Sequence, residues 1–484
     1  MPSTPDRAGA ARWLHRHVVY PLVVGVRGEG SVFRRLRALE QLQWRSEDEL
    51  RERQSARLAR TLGHAAAASP YYRQRWGRLA QEGAGADPFE CLRSLPFLTK
   101  ADLQESVATL RSTRPPAGRT TTKVTGGSTG QPVTIVKHRS AIAAEMAASW
   151  LGYGWFGIRR GDRGVRFWGQ PATLKRRLRF AAADLATHRI RFSAFAFGDD
   201  DLERYWRRCL RYRPDFFYGY ASMLGAFAEF VLRRGYDGSA LPLKAIVSTS
   251  EVLTEPQRRA MREAFGVPVQ NEYGCGELGP LAYECEAGGL HLMTENQVVE
   301  VLRPDGSPAA PGESGEVVVT DLNNFAMPLV RYRVGDLATP ARACTCGRGF
   351  PTLERVWGRE YDFVQGPDGR RYHGEFFMYL FEDLRSAGAA IGKFQVVQRA
   401  ADRVELRVVP AGDFHALEEA RLLAVARERL PGVHLSVLRV PELPPLASGK
   451  TAVVQNPWLR QAGGAAAVQP PSADEPARAS AGGA

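Results

Sequence analysis

Nowhere does this 484-residue chain hold the ~18–20 consecutive apolar residues that a bilayer-spanning helix needs. The best candidate, VVYPLVVGV at 18–26, is broken by Pro21 and Gly25. No small-residue cleavage site follows it, so it is not read as a secretory signal. Beside it lie Arg12, His15, Arg16 and Arg27. The expectation is a helix packed on the main body, with a segment resting on a membrane surface as the alternative. A cytoplasmic location is expected. Cysteine is scarce, six in all, which argues against a disulfide scaffold. No Gly-Lys-Ser/Thr closes a glycine-rich loop, which excludes a Walker A site. Although the net charge is +13, the arginines are scattered. Nucleic-acid binding calls for a concentrated basic patch and is not expected. Diffuse positive charge fits anionic small molecules, or only an Arg-rich composition. No internal repeats are present.

What is present is a soluble-type composition, 44% apolar and 10% aromatic, in a chain too long for one ordinary core. Helix is expected over about 47–83, broken at SPYY (69–72), and Thr99 is expected to cap a short helix. From 127 to about 356, β-branched runs such as VTIV, GVRFW, DFFYGY, KAIVSTS and VPVQNEYG alternate with helix-like segments such as EPQRRAMREAF. That alternation predicts α/β layering with much parallel sheet. Over 295–339 the pattern instead predicts an antiparallel or barrel-like subdomain. After about 359 the order strand, strand, helix, strand predicts a compact α+β domain of roughly 100 residues. The tail from 462 is poor in bulky apolar residues and is expected to be disordered.

Chemistry concentrates at a few places. Thr125-Gly126-Gly127-Ser128-Thr129-Gly130 offers unobstructed backbone N–H groups and hydroxyl donors, a composition suited to wrapping a polyphosphate. By itself it reads equally well as a surface turn. NEYGCGELG places Glu277 four residues after Tyr273. RYRVGDLA carries Asp336, VWGREYD carries Arg359, and LPPLASGKTAVV ends in Gly449-Lys450. Singly, Asp336 reads as a turn residue, Glu277 as a solvated acid and Lys450 as an exposed lysine.

As an ordered set running from Gly126 to Lys450, these motifs closely resemble the adenylate-forming superfamily, and specifically its phenylacetate–CoA ligase-like branch. The lead-in SPYYRQRWG and LPFLTKADL resembles that branch too. The resemblance implies a large α/β adenylate-forming domain, with layered sheets and a small β-barrel-like part, followed by a small mobile α+β lid. The expected divisions are a helical lead-in (1–95), the core with the ATP and acid sites (96–358), the lid (359–461) and the tail (462–484). It implies ATP, Mg²⁺, a small carboxylic acid and coenzyme A as reaction partners.

Joining a carboxylate to the α-phosphate of ATP brings two anions together. The acid is its own nucleophile, so the protein must supply alignment and neutralising charge. The resemblance implies that Thr125 to Gly130 hold the β- and γ-phosphates and that Glu277 holds Mg²⁺. It implies that Tyr273, with Gly274, lies beside the adenine near Ser250 and Glu251. Asp336 would accept hydrogen bonds from the ribose hydroxyls. Arg359 would sit at the domain junction, and Lys450 would reach the carboxylate and α-phosphate. Trp168, Tyr218, Tyr220, Cys275 and Gly276 are the candidate walls of the acid pocket.

The chain departs from the family pattern in three places. No lysine closes the glycine-rich loop, which leaves Lys123 and Lys137 nearby. Gly276 replaces the usual hydroxyl residue before Glu277. The hinge reads Glu360-Tyr361-Asp362, with Tyr361 in place of the first acid and Asp362 retained. Cys285, His291, Cys344 and Cys346 make a tetrahedral zinc set with no open position, which implies a structural ion. Some members of the branch carry such a site. The plain alternative is four ordinary residues in a reducing compartment.

Three functions compete. The first is an acid–CoA ligase working through an acyl-adenylate. In the second the acyl or AMP group goes elsewhere, to an amine, a hydroxyl, a coenzyme or a carrier protein, as in relatives tied to capsular polysaccharide or deazaflavin chemistry. The third is a degenerate nucleotide-binding protein. Joint retention of Glu277, Asp336, Arg359 and Lys450 argues against the third.

Overall fold

The computed structural model describes residues 7–77, 87–125, 133–169, 180–181, 183–194, 196–357, 364–368, 370–372, 374–386, 388–412, 415–443 and 453–458. Strands β1 (Thr120–Thr125) and β2 (Val133–His138) pair antiparallel with Thr125 opposite Val133. The glycine-rich segment within 126–132 lies outside the described residues.

The centre is one large sheet. Its parallel half comprises β3 (Gly164–Trp168), β4 (Arg189–Ser193), β6 (Phe216–Tyr220), β7 (Ala245–Thr249) and β8 (Val269–Cys275), all pairing parallel in the order β4-β3-β6-β7-β8; the two-residue β5 (Ala196–Phe197) lies outside this sheet. All five residues of β7 are buried, as a central strand covered on both faces requires. One face carries the helices Ala221–Arg233 and Glu255–Phe265, whose Phe227 and Phe265 pack on Phe217. The second of these helices opens with a Thr254–Gln257 capping box and stops at Gly266, which adopts φ +66°. Such a cap contributes about 1 kcal/mol. The other face carries the helix Arg139–Trp155, through Tyr153 against Phe216 and Tyr218.

From β8 the sheet continues antiparallel through β9 (Gly279–Glu284), β10 (Leu290–Leu292), β14 (Thr352–Val356), β13 (Tyr332–Pro340), β12 (Gly315–Asp321) and β11 (Gln297–Leu302). The antiparallel strands expected over 295–339 therefore form, but they extend the central sheet to eleven strands among the described residues. The pairing of β14 with both β13 and β10 makes that continuity. Sequence periodicity reports each strand and not its neighbour.

The expected helix break appears between Glu47–Ala68 and Pro70–Trp76, and Thr99 caps its helix reciprocally with Asp102. These lead-in helices share a core with β11–β13. There Tyr72 donates to Pro328 O at 3.0 Å and accepts from Val330 N at 3.0 Å.

In the C-terminal part, β17 (Ile391–Ala400), β18 (Arg403–Pro410), the helix Ala416–Arg429 and β19 (His434–Arg439) follow the expected order. A helix at Gly374–Ser386, absent from that reading, stacks Phe381 on Phe394 with ring centroids 3.8 Å apart. Before it, the short β15 (Val364–Gln365) and β16 (Arg371–Tyr372) form a hairpin, and β16 pairs with β5. A short strand, β20 (Val454–Gln455), lies parallel to β17. One hydrophobic core thus runs from Phe167 and Phe217 to Phe377 and Leu406. The boundary expected near 359 falls outside the described residues.

Candidate active site

A cleft of about 1200 Å³ opens at the carboxyl ends of the parallel strands, where ligands of open α/β sheets bind. Ser250, Glu251, Tyr273, Gly274, Cys275, Gly276, Glu277, Asp336, Trp168 and Tyr218 all line it. Sequence reasoning had named every one of them, from segments spread over more than a third of the chain.

Local geometry explains how they meet. After β7 the chain turns at Ser250 with φ +68°, a left-handed conformation that costs a non-glycine residue free energy and clusters at functional turns. Glu251 then accepts from Ser222 N at 2.7 Å and Ser222 Oγ at 3.0 Å, which anchors the turn on the first residues of the helix Ala221–Arg233. After Tyr273 the β8–β9 register slips, and a Cβ on Gly274 would come within 2.8 Å of Gly279 O. Only glycine permits that close return, which swings Gly276 and Glu277 over the cleft.

Tyr273 and Asp336, 63 residues apart, are joined directly: the phenol Oη donates to Asp336 Oδ2 at 3.1 Å. Gly335, at φ +81°, precedes Asp336 within β13. The carboxylate is therefore fixed in orientation and mostly withdrawn from water.

The structure divides the two lysines near the glycine-rich segment. Lys137 is buried and ion-paired with Glu145. Burial opposes its charge, but Glu145 and Asp321 outweigh burial and raise its pKa. Burial in turn raises Asp321 to about 6, against the pull of Lys137 and of the Asn323 and Asn324 N–H groups. Lys123 instead lines the cleft. Although it keeps contact with solvent, lost hydration and then the Lys137 ammonium lower its pKa, while Glu145, Cys275 and Glu277 oppose that shift.

Three features of the site went unread in the sequence. Glu272, inside the motif and one residue before Tyr273, is buried and accepts from Tyr153 Oη (2.9 Å), Tyr218 Oη (3.1 Å) and Thr249 Oγ1 (2.9 Å). An acid inside a strand, one residue before the motif tyrosine, was the available signal. Arg166 lies over Trp168 at 4.2 Å and Tyr218 at 5.2 Å, and its Nε is buried without a hydrogen-bond partner among the described residues. Arg191 lines the same wall, held by Asp184. The acid-pocket candidates therefore sit on a cationic wall as well as an aromatic one. Tyr220 takes a different place: it is buried in the core and stacks on Trp168 at 4.4 Å, supporting the wall from behind. Gly126 to Gly130, Arg359, Tyr361, Asp362 and Lys450 lie outside the described residues, as does the side chain of Thr125.

Away from the cleft, one ligand atom from each of Cys285, His291, Cys344 and Cys346 lies within 4.8 Å of the others. His291 Nδ1 donates to Phe350 O at 2.8 Å, which leaves Nε2 as the lone-pair nitrogen, 3.1 Å from Cys346 Sγ. A Cβ on Gly289 would lie 2.6 Å from Cys344 Sγ, so glycine makes room for that thiol. Three soft sulfurs, one oriented imidazole and no carboxylate fit a tetrahedral zinc ion.

No family model matches the chain. Over 334 residues it is 30% identical to a phenylacetate–coenzyme A ligase of Thermus thermophilus, covering 66% of this chain and 72% of that one. Over 281 residues it is 25% identical to protein CapK of Staphylococcus aureus, covering 57% of this chain and 60% of that one. Its fold is similar to a crystal structure of 2-hydroxyisobutyryl-CoA ligase in complex with 2-HIB-AMP and CoA, with a TM-score of 0.57 and 19% identity, over 88% of this chain and 93% of that one. Given the ordered motifs and this kinship, the chain belongs to the phenylacetate–coenzyme A ligase-like branch of the adenylate-forming superfamily.

Proposed function

We propose that this protein activates a carboxylic acid with ATP as an acyl-adenylate and then transfers the acyl group to coenzyme A. The observation that carries the reading is the Tyr273–Asp336 hydrogen bond inside a cleft also lined by Ser250, Glu251 and Glu277. A carboxylate fixed by a phenol is suited to two ribose hydroxyls, with the tyrosine ring beside the base. Glu277, a hard oxygen donor on the cleft wall, would hold Mg²⁺, which supplies neutralising charge to the phosphates.

The acid carboxylate attacks the α-phosphorus, the bond to the bridging oxygen breaks, and pyrophosphate leaves with its electron pair. Lys450 and Arg359 balance charge at the reacting phosphate, and residues 125–130 hold the departing one. Lys123 is the cation for the pyrophosphate in the absence of a loop lysine, because Lys137 is committed to Glu145. Attack by the coenzyme A thiolate on the acyl carbon then forms the thioester and releases AMP.

Arg166 and Arg191 favour an acid whose far end carries a hydroxyl or a second anionic group over plain phenylacetate. Zinc bound by Cys285, His291, Cys344 and Cys346 would tie β10 to the turn before β14.

The test is acid-dependent exchange of labelled pyrophosphate into ATP, screened across carboxylic acids, followed by AMP release with and without coenzyme A. Exchange with hydroxylated or dicarboxylic acids, and AMP release that requires coenzyme A, are the expected results. No exchange with any acid would end the adenylation reading. Exchange without a coenzyme A requirement would redirect the acyl or AMP group to another acceptor.

A further inference from the structure

The helical segment from Arg7 to Val26 has two unlike faces. Inward, Tyr20 and Val24 are buried, and Tyr20 Oη accepts from Trp150 Nε1 at 2.7 Å. Arg12 pairs with Asp215 at 2.8 Å, and Arg16 Nε donates to Arg160 O at 2.7 Å. The segment is thereby fixed to the body. Its outer face is bare: Trp13, Leu14, Val18, Leu22 and Val26 are between 46% (Val18) and 69% (Val26) exposed.

The last four of these recur every four residues. On a regular α-helix, steps of four drift by about 40° each and would spiral the row into the body. Here a π-helical turn at His15–Val19, just ahead of Pro21, widens the winding and offsets that drift. The outcome is a straight apolar ridge ending in a tryptophan, held rigidly outward.

Within the segment itself the charge has one sign. No Asp or Glu occurs between Asp6 and Glu29. At the ridge's far end Arg119 Nη1 donates to Val26 O at 3.2 Å, which fixes a cation there. Alongside runs a groove of about 360 Å³ that shares His17 and Pro21 with the helix and is lined by Arg16, Arg37 and Arg160, with Glu40 its one acid. Arg160 lies over the Phe33 ring at 4.7 Å; burial lowers its pKa, against the pull of Tyr20 and Glu40, and Arg16 and Arg37 add to the lowering. Among the described residues neither Arg37 nor Arg160 forms an ion pair.

We propose that this face docks on an anionic phospholipid bilayer, with the ridge in the acyl boundary and a lipid phosphate in the arginine groove. An apolar row flanked by arginines, with tryptophan at the rim, matches the chemistry of the bilayer interface. A second copy of the chain would set like charges against each other, whereas an anionic surface complements them. The proposal stands apart from the reaction, since no residue of the ridge or groove lines the cleft.

The test is flotation of the full chain with vesicles of phosphatidylcholine alone and with about one-third phosphatidylglycerol. The wild type is expected to float with the anionic vesicles only, and less so as salt rises. The double variant L22D/V26D should lose at least tenfold of the bound fraction, and R37E several-fold, both with unchanged melting temperature. Three results would overturn the proposal: a wild type that never floats, variants that float like the wild type, or a solution dimer that L22D/V26D converts to monomer.

Discussion

Replacing Cys346 with serine tests the metal centre most sharply. Zinc bonds of about 2.3 Å to sulfur and 2.0–2.1 Å to nitrogen set tetrahedral edges of roughly 3.8 Å between sulfurs and 3.5 Å between sulfur and nitrogen. Cys285 Sγ and Cys344 Sγ are 3.6 Å apart, and His291 Nε2 and Cys346 Sγ 3.1 Å. Those two edges therefore need to change by only a few tenths of an ångström, and all four ligand atoms lie within 4.8 Å of one another. A serine hydroxyl is a poor zinc ligand and stands farther from the centre. The expected loss of affinity exceeds that of a disturbed supporting contact, about 100-fold or 2.7 kcal/mol. Because bound thiols have shed their protons, affinity should fall further as pH is lowered. The assay is metal content by mass spectrometry together with competition by a chromophoric chelator. Wild type should carry one zinc per chain, and C346S should surrender it to chelator concentrations the wild type withstands. A reduced wild-type protein purified without chelator and free of metal would refute the reasoning. So would a C346S variant with unchanged zinc affinity.

Lys450→Ala should nearly abolish acid-dependent pyrophosphate exchange while leaving ATP binding in place by calorimetry; full exchange would overturn its assigned role. Tyr273→Phe removes the bond to Asp336, worth about 1 kcal/mol, and should raise the KM for ATP several-fold with little change in kcat. An unchanged KM would detach that pair from nucleotide binding. Asp321, raised to about 6 by burial from an ordinary 3.8, keeps a proton in the folded chain that the unfolded chain has released. Its contribution to stability is complete below about pH 4 and falls by about 3 kcal/mol as pH rises through 6. Asp321→Asn should flatten that part of the melting-temperature profile, and identical profiles for the two proteins would reject the linkage.

Much of this was legible in the residues because the motif glycines answer to backbone geometry within a few positions. Gly274 is dictated by a local close approach and Gly335 by a positive φ, so their chemistry is written within a few positions. The capping boxes at Thr99 and Thr254 are equally local. What could not be read depends on strand neighbours and helix faces. The donors around Glu272 come from Tyr153, Tyr218 and Thr249 on three separate elements. Tyr220 looked like a wall residue because its strand ends at the cleft, yet it stacks behind Trp168.

By itself the amino-acid order determined the turn chemistry, the alternation of strands and helices, and the ordered motifs that carry the family resemblance. Those depend on backbone geometry within a turn or two. The tertiary structure alone decided that Lys137 is spent on Glu145 while Lys123 faces the cleft, and that eleven strands among the described residues make one sheet. It also decided that the N-terminal helix hides Tyr20 and Val24 while displaying Leu22 and Val26. Each is a choice among partners far apart in the chain, made by burial and charge pairing that no local pattern encodes.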